Sequence, residues 1–365
     1  MNVRKLRALP FLVLLLPLDL AVTVLLLLAS VFGRSRHPRT DGKSSAGVSG
    51  GRATILVLNW DGKHLLADGL PSVLEAVRAS GGNHRVLVVD NGSTDGSVAF
   101  VRERFPDVQI LELDRNYGFV AGNNKGMAAV ETEIVVLLNN DMIVERGFLQ
   151  PLLDGFRDPS VFAVTSQIFF EDRSRRREET GKTRAKYESG FFTFWHDDIS
   201  DDDEQRSAIP VFWAGGGSCA IDRNKYLEIG GLDDLYHPFY VEDADLSYRA
   251  WKRGWKCVLA PASRVIHKHR ATSSRKFSHR FVDNTIRRNL FLFVWKNVTD
   301  LPMILEHVVH LPSIHGRAMI HDSAAFEVKA YLRAVLRLPA ALQKRLRSAC
   351  HCRVSDREIL FRSRP

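Results

Sequence analysis

Val86-Leu-Val-Val-Asp90-Asn91-Gly-Ser93-Thr94-Asp95-Gly-Ser is the stretch that decides the fold. Four uninterrupted apolar residues predict a strand buried on both faces, as in a parallel sheet. The strand stops at a run of small polar residues and glycine, where Ser93, Thr94 or Asp95 can cap a helix reaching Phe105. Carboxylates and amides at the carboxyl edge of a parallel strand stand where open α/β sheets bind ligands. The pattern recurs in Ile134-Val-Val-Leu-Leu138, which ends in Asn139-Asn140-Asp141. Two strands delivering oxygen ligands to one edge predict a site, where a single one would be an ordinary capped turn.

Outward from this stretch, strand and helix alternate from Thr54: strands at 55–58, 86–89, 109–113 and 134–138, helices near 66–79, before 105, and near 122–131. That alternation predicts βαβ units. In order along it stand Asn59-Trp60-Asp-Gly62, Asp90-Asn-Gly-Ser-Thr-Asp95, Arg115-Asn116-Tyr-Gly118-Phe-Val-Ala-Gly122-Asn123-Asn124, Asn139-Asn140-Asp141, Phe239-Tyr-Val-Glu242-Asp243-Ala-Asp245-Leu and Val265-Ile-His267-Lys-His269. With these motifs the chain resembles glycosyltransferase family 2, the inverting GT-A enzymes, in its rhamnosyltransferase-like branch, from about Thr54 to Asn297. The resemblance implies an α/β GT-A fold, a Rossmann-like nucleotide-binding half fused to an acceptor half. To this the sequence adds an N-terminal membrane helix and C-terminal basic helices.

The resemblance also assigns roles. Asn59, Asp90, Asn91, Arg115, Asn116, Gly122, Asn123, Asn140 and Asp141 would hold the nucleotide sugar. A carboxylate such as Asp90 can accept from a pyrimidine imide N–H, and Arg115 can pair with phosphate. Asn139-Asn140-Asp141 occupies the place of an Asp-x-Asp motif, with one carboxylate instead of two. Asp141 and His267 would hold Mg²⁺ or Mn²⁺, hard cations that take oxygen ligands and the donor's phosphates. Asp243 would be the general base for the acceptor hydroxyl and Glu242 would orient the acceptor. Asp245 is expected to cap the helix at 247–252, since acidic residues favour helix N-termini. Trp213, Gly215, Gly216 and Gly217 would close the sugar and acceptor pocket, the glycines permitting close backbone approach.

Leu9–Phe32 is long and apolar enough to span a bilayer. Its 17 Leu, Val and Phe residues outweigh Asp19, which costs about 3 kcal/mol near the middle of a span. The run exceeds a signal-peptide core, so an uncleaved, single-pass anchor at 1–33 is expected. Basic residues on both sides leave its orientation open; in a bacterium the catalytic domain would face the cytoplasm, where nucleotide sugars are made. Residues 34–52 read as a flexible linker, 53–299 as the GT-A domain and 300–365 as a basic helical tail that packs on the domain or lies on a membrane. In that tail Val328, Tyr331, Leu332, Val335 and Leu336 form an apolar stripe. The charge-dense segment 171–207, around Phe191-Phe-Thr-Phe-Trp195, reads as a solvated loop or a mobile lid.

Net charge is +9, from 51 Lys and Arg against 42 Asp and Glu. The basic residues form no single aromatic-interleaved patch, so no nucleic-acid partner is expected; anionic lipid and phosphate-bearing substrates fit the distribution better. Four cysteines exclude a disulfide scaffold. The expected partners are a dTDP- or UDP-linked donor, a glycan or lipid-linked acceptor in surface polysaccharide synthesis, and the membrane. Two other classes compete. A sugar nucleotidyltransferase would want a Gly-rich basic loop after the first strand, which Asn59-Trp-Asp-Gly62-Lys63 matches poorly. A catalytically silent sugar-nucleotide-binding subunit has only Asn139 in its favour.

Overall fold

The computed structural model describes residues 3–34, 51–171, 177–268 and 277–364. Contacts divide the chain into two units. The helical unit comprises residues 1–42, 185–194 and 277–361, and the sheet unit comprises 43–184, 195–276 and 362–365. Helix α1 (Val3–Arg34), part of the helical unit, opens the chain. The expected linker, His269 and most of the Arg173–Arg177 run lie outside the described residues.

The sheet unit is built on β1 (Ala53–Asn59), β2 (Arg85–Asp90), β3 (Gln109–Glu112) and β4 (Ile134–Asn139), all parallel, with α2 (Lys63–Ala79), α3 (Ser97–Arg104) and α4 (Gly118–Ala129) between them. Burial explains the composition of these strands: Val86, Val88, Val89 and Ile134 to Leu138 are almost wholly enclosed. The helices begin earlier than their apolar periodicity indicates, at Lys63 and Gly118, because polar and glycine residues supply their first turns.

After β4 the chain turns back through β5 (Met142–Val144), α5 (Leu149–Asp154) and β6 (Val161–Phe170). It continues through β7 (Thr183–Glu188), β8 (Phe191–His196), α6 (Asp201–Glu204), β9 (Ile209–Pro210), β10 (Ser218–Asp222), α7 (Arg223–Glu228), α8 (Glu242–Lys252) and β11 (Lys256–His267). The sheet order is β3-β2-β1-β4-β10-β6-β11-β5, with β9 also on β11. Strand β11 is broken by a register shift between Ala260 and Arg264. The break lets Ser263 turn inward to donate to Phe148 O at 2.8 Å.

The segment 171–207 is not a solvated loop where it is described. It forms the β7–β8 hairpin, and two of its charge pairs are enclosed: Lys182 Nζ lies 2.7 Å from Asp203 and Arg184 Nε 3.0 Å from Asp197.

The helical unit holds α1, α9 (His279–Asn297), α10 (Leu301–His321), α11 (Ala324–Val335), α12 (Leu338–Ser348) and α13 (Asp356–Arg362), and α1 packs on α10, α11 and α12. Aromatic rings fill its core: Phe291 meets Tyr331 and Trp295, and Phe192 and Phe194 both set their rings edge-on to Phe293. The Trp295 Nε1–H donates to His307 Nε2 at 3.1 Å, so His307 donates from Nδ1 to Gly190 O. The buried face of α11 is Phe326, Glu327, Ala330, Tyr331 and Ala334. Of the expected stripe only Tyr331 is buried, while Leu332 and Leu336 are exposed. Buried Glu327 displaces the stripe, because its carboxylate takes a two-pronged bond from Arg287 at 2.7 and 2.8 Å.

Candidate active site

Parallel pairing aligns the ends of three strands. Asn59 stands beside Asp90 in register, and Leu58 beside Asn139. Their polar side chains therefore gather at one edge of the sheet, where Asn59 is the hub of a hydrogen-bonded set. Asn59 Nδ2 donates to Asp90 Oδ1 at 3.3 Å and Ser93 Oγ at 3.2 Å, while its Oδ1 accepts from Asn140 Nδ2 at 2.9 Å. Asp90 Oδ2 accepts from the Ser93 amide at 2.9 Å. Gly62 closes this corner: a Cβ there would come within 2.3 Å of Asn140 Nδ2 and 2.6 Å of Asn59 Oδ1.

Asn91 holds the next loop. Its Oδ1 accepts from the Tyr117 amide at 2.9 Å and its Nδ2 donates to Asn116 Oδ1 at 2.9 Å. Arg115 places its guanidinium 4.9 Å from the Tyr117 ring centre. Gly122 lets α4 approach β1, since a Cβ would stand 2.7 Å from Leu58 Cδ1. Asn123 is buried and donates to Phe119 O within its own helix at 3.0 Å, and Asn124 is bound to Leu232 and Tyr226.

Asp141 follows the turn from β4, in the middle of the sheet, to β5 at its edge. Antiparallel pairing sets Met142 opposite His267, and the Lys268 amide donates to Asp141 O at 2.9 Å. As a result His267 Nε2 lies 3.4 Å from Asp141 Oδ2, while Nδ1 lies 3.0 Å from Glu179 Oε2. Burial pushes the imidazole pKa down, but the two carboxylates outweigh it and raise the value to about 9. Asp141 Oδ1 is buried without a hydrogen-bond partner among the described residues. Buried carboxylate oxygens are rarely left so, and a cation between Asp141 and His267 would satisfy it. The residues present thus fit a hard divalent ion with two protein ligands, its other positions open to phosphate oxygens. Among the described residues no cluster of three or more His, Cys, Asp or Glu could hold a metal by itself.

Asp243 lies at the start of α8, preceded by Tyr240 and Val241 in the left-handed region at φ 70° and 75°. A β-branched residue rarely adopts that backbone, and such strain collects at functional sites. Asp243 Oδ1 accepts from the Ala244 amide at 2.8 Å and Oδ2 from the Gly216 amide at 3.4 Å. Gly217 in turn abuts Asn139, where a Cβ would approach Asn139 Nδ2 to 2.8 Å. These contacts join Asp90, Asn59, Asn140, Asn139, Gly217, Gly216 and Asp243 in one continuous constellation.

Burial raises the Asp243 carboxyl above the usual range, with Glu179 adding to it against the backbone donors. Glu242 is raised well above it, by burial first and then by Asp243, and its Oε2 is buried without a hydrogen-bond partner among the described residues. Asp245 does not cap α8. It is fully enclosed, accepting from Tyr236 OH at 2.8 Å and Arg249 Nε at 2.7 Å, because its side chain faces the core across one turn.

Trp213 is largely buried and meets His196 edge-on at 5.3 Å. Its backbone is tied twice to Thr183. Gly215 has open space where a Cβ would stand. Three residues beyond the sequence-based set join the site. Asp61, at φ 50°, accepts from the Thr94 amide at 2.8 Å and donates its own amide to Ser93 Oγ. Its place in an Asn-Trp-Asp-Gly turn was the available signal. Glu179, in a charge-rich stretch, and His196 carried none.

A mixed sheet with acidic and amide ligands at the carboxyl edge, and a buried carboxylate beside a glycine turn, defines a GT-A glycosyltransferase drawing on a nucleotide sugar. The comparisons with known proteins agree. Residues 55–227 match the model of "Glycosyl transferase family 2". It is 29% identical over 209 residues to N-acetylglucosaminyl-diphospho-decaprenol L-rhamnosyltransferase of Mycobacterium tuberculosis (strain CDC 1551 / Oshkosh), covering 52% of this chain and 67% of that relative. It is 28% identical over 209 residues to the pre-mycofactocin glycosyltransferase of the same strain, covering 56% of this chain and 41% of the relative. In fold it is similar to GalNAc-T7, solved with UDP, GalNAc and Mn²⁺, with a TM-score of 0.55, 15% identity, and 85% and 56% of the two chains covered. It is also similar to residues 1–349 of S. aureus TarS, with a TM-score of 0.52, 10% identity, and 82% and 89% covered.

Proposed function

We propose that this chain moves a sugar, with inversion, from a dTDP- or UDP-linked donor to a hydroxyl of a lipid-linked glycan, in the synthesis of a surface polysaccharide. The observation that carries the proposal is the pairing with His267 of Asp141, one residue on from Asn140, whose side chain is bonded to Asn59 beside Asp90. The rhamnosyltransferase relative supports L-rhamnose as the sugar and a polyprenyl-diphosphate-linked acceptor.

Asp141 and His267 would hold Mg²⁺ or Mn²⁺, which when bound offsets charge on the departing diphosphate. His267 must then present a neutral Nε2, and Glu179 holds the ring by Nδ1. The polar groups of Asn59, Asp61, Asp90 and Ser93 surround the place for the base and ribose. Arg115 and Asn116 stand on the loop that Asn91 fixes beside it. Asp243 takes the acceptor's proton as the hydroxyl attacks; its raised affinity for that proton suits a base working near neutrality. Glu242, beside it, orients the acceptor. Gly215, Gly216 and Gly217 let the substrate approach the backbone, and Trp213 backs the pocket.

Helix α1 attaches the enzyme to a membrane, on the cytoplasmic side if the source is bacterial. The test is transfer from a panel of dTDP- and UDP-sugars to a polyprenyl-diphosphate-linked acceptor with Mn²⁺. Product of inverted anomeric configuration is expected, with dTDP-L-rhamnose the best donor. Retention of configuration, or nucleotidyl transfer in its place, would overturn the proposal.

A further inference from the structure

Helix α1 is the one described helix long and apolar enough to cross a membrane. Within the helical unit, however, one face of it is occupied. Leu15, Asp19, Val22, Leu26 and Ala29 are buried at alternating spacings of four and three residues, the seam of a packed helix. Asp19 sits on that seam with its carboxylate engaged. Tyr331 OH donates to Asp19 Oδ1 at 2.6 Å, and His315 Nε2 lies 3.2 Å from the same oxygen. His315 Nδ1 is 2.8 Å from Glu327, which Arg287 holds from the other side. Further along the helix, Arg345 donates to Ser30 Oγ at 2.9 Å. Near its start Leu12 reaches Gly316, where a Cβ would stand 3.9 Å away.

From Leu12 to Ser30 a helix rises about 27 Å, close to the roughly 30 Å of a hydrocarbon core. Contact with α10, α11 and α12 therefore accompanies almost the whole length that a crossing helix would place in lipid. Those partners carry Glu327, joined to Asp19 through His315, and Arg345, bonded to Ser30, while Arg287 of α9 is bonded to Glu327. Crossing would drag these charges into the hydrocarbon at about 2.5–3.5 kcal/mol for each central Lys or Arg, or strip α1 from the bundle and leave Asp19 unpaired in lipid.

The opposite half of α1 is bare and apolar. Eleven large apolar residues are exposed between Leu9 and Phe32, among them Leu14, Leu20, Val24, Leu28 and Val31. Leu305, Val309, Leu332 and Leu336, elsewhere in the unit, are exposed as well. Residues 277–361 carry 13 Lys and Arg against 7 Asp and Glu, a charge that complements anionic lipid headgroups. We propose that α1 lies along the membrane surface, its bare face in one leaflet and its Asp19 seam docked on α10–α12, so that the helical unit is a monotopic platform for anionic bilayers. The proposal rests on the membrane attachment above and is independent of the sugar transferred.

The test uses full-length protein bound to phosphatidylcholine vesicles with and without phosphatidylglycerol. In a Cys350→Ser, Cys352→Ser background, Lys5→Cys and Arg34→Cys are combined and treated with a membrane-impermeant maleimide. Mass spectrometry then counts labels per molecule. Two labels on vesicle-bound protein are expected, since both ends of α1 lie on one side. One label per molecule, rising to two only in detergent, means that the helix crosses; that result overturns this inference and leaves membrane attachment standing. Flotation should strengthen with phosphatidylglycerol and fall at least about tenfold in Leu20→Glu, Val24→Glu protein, with an unchanged melting curve in detergent. No flotation by the parent protein on either vesicle would overturn both the inference and the attachment.

Discussion

His267 Nε2 stands 3.4 Å from Asp141 Oδ2 because β5 and β11 pair antiparallel at the far edge of the sheet. The contact leaves Asp141 Oδ1 buried and without a partner among the described residues. The metal site proposed above would give that oxygen a partner.

Chelation with EDTA is therefore expected to abolish transfer, and Mn²⁺ or Mg²⁺ to restore it. Asp141→Asn should weaken Mn²⁺-dependent binding of the nucleoside diphosphate by about 10–100-fold, measured by calorimetry. His267→Ala should do the same. Metal-independent binding of equal strength in both variants would remove the site.

Asp243→Asn keeps the size of the side chain and, through Oδ1, the Ala244 amide contact, but cannot accept a proton. Turnover should fall by about 10²–10⁴-fold, with donor binding within a factor of two or so of the parent. A drop in donor affinity that accounts for the lost activity would assign Asp243 to binding instead.

The pH profile follows from burial. The Asp243 carboxyl is raised above its ordinary range, so the active, deprotonated form is lost as pH falls through that raised value. The acid limb of kcat/KM should lie above the pH at which an exposed carboxylate titrates. Glu242 is also raised well above its ordinary range, by burial first and then by Asp243. Glu242→Gln is thus expected to leave the limb in place while raising KM for the acceptor; a large displacement of the limb would mean that Glu242 carries charge.

Gly62→Ala tests the nucleotide corner. The added methyl must displace Asn140 and Asn59, whose side chains bracket it. Nucleotide affinity should weaken about tenfold, near 1.4 kcal/mol, with little change in melting temperature. Equal losses of stability and affinity would point to a general packing fault.

Asp203 reports on the folded charge cluster. Burial pushes its carboxyl up, but Lys182 and Ser200 outweigh that and hold it down to about 2. Its contribution to stability is present above the ordinary carboxylate value near 4 and is lost as pH falls through about 2. Asp203→Asn should lower the melting temperature at pH 7, and the gap from the parent should close as the pH is taken below 3. A gap that persists there would mean the pair is held by packing alone.

What the amino-acid order determined is local. The apolar runs of β1, β2 and β4, and the abrupt polar stops at Asn59, Asp90 and Asn139, disclose buried parallel strands with ligands at one edge, because side-chain period and turn chemistry are short-range properties. Tertiary structure decided which distant groups meet. Strand pairing brought His267 to Asp141 and Gly217 to Asn139, and sequence spacing carries no trace of either contact. It also decided burial, turning Asp245 into an ion-pair partner of Arg249 and folding the charged 183–196 segment into a hairpin. In α1 every face is apolar, so nothing in its composition tells the packed seam from the bare side; only the docking of Asp19 on His315 and Tyr331 does.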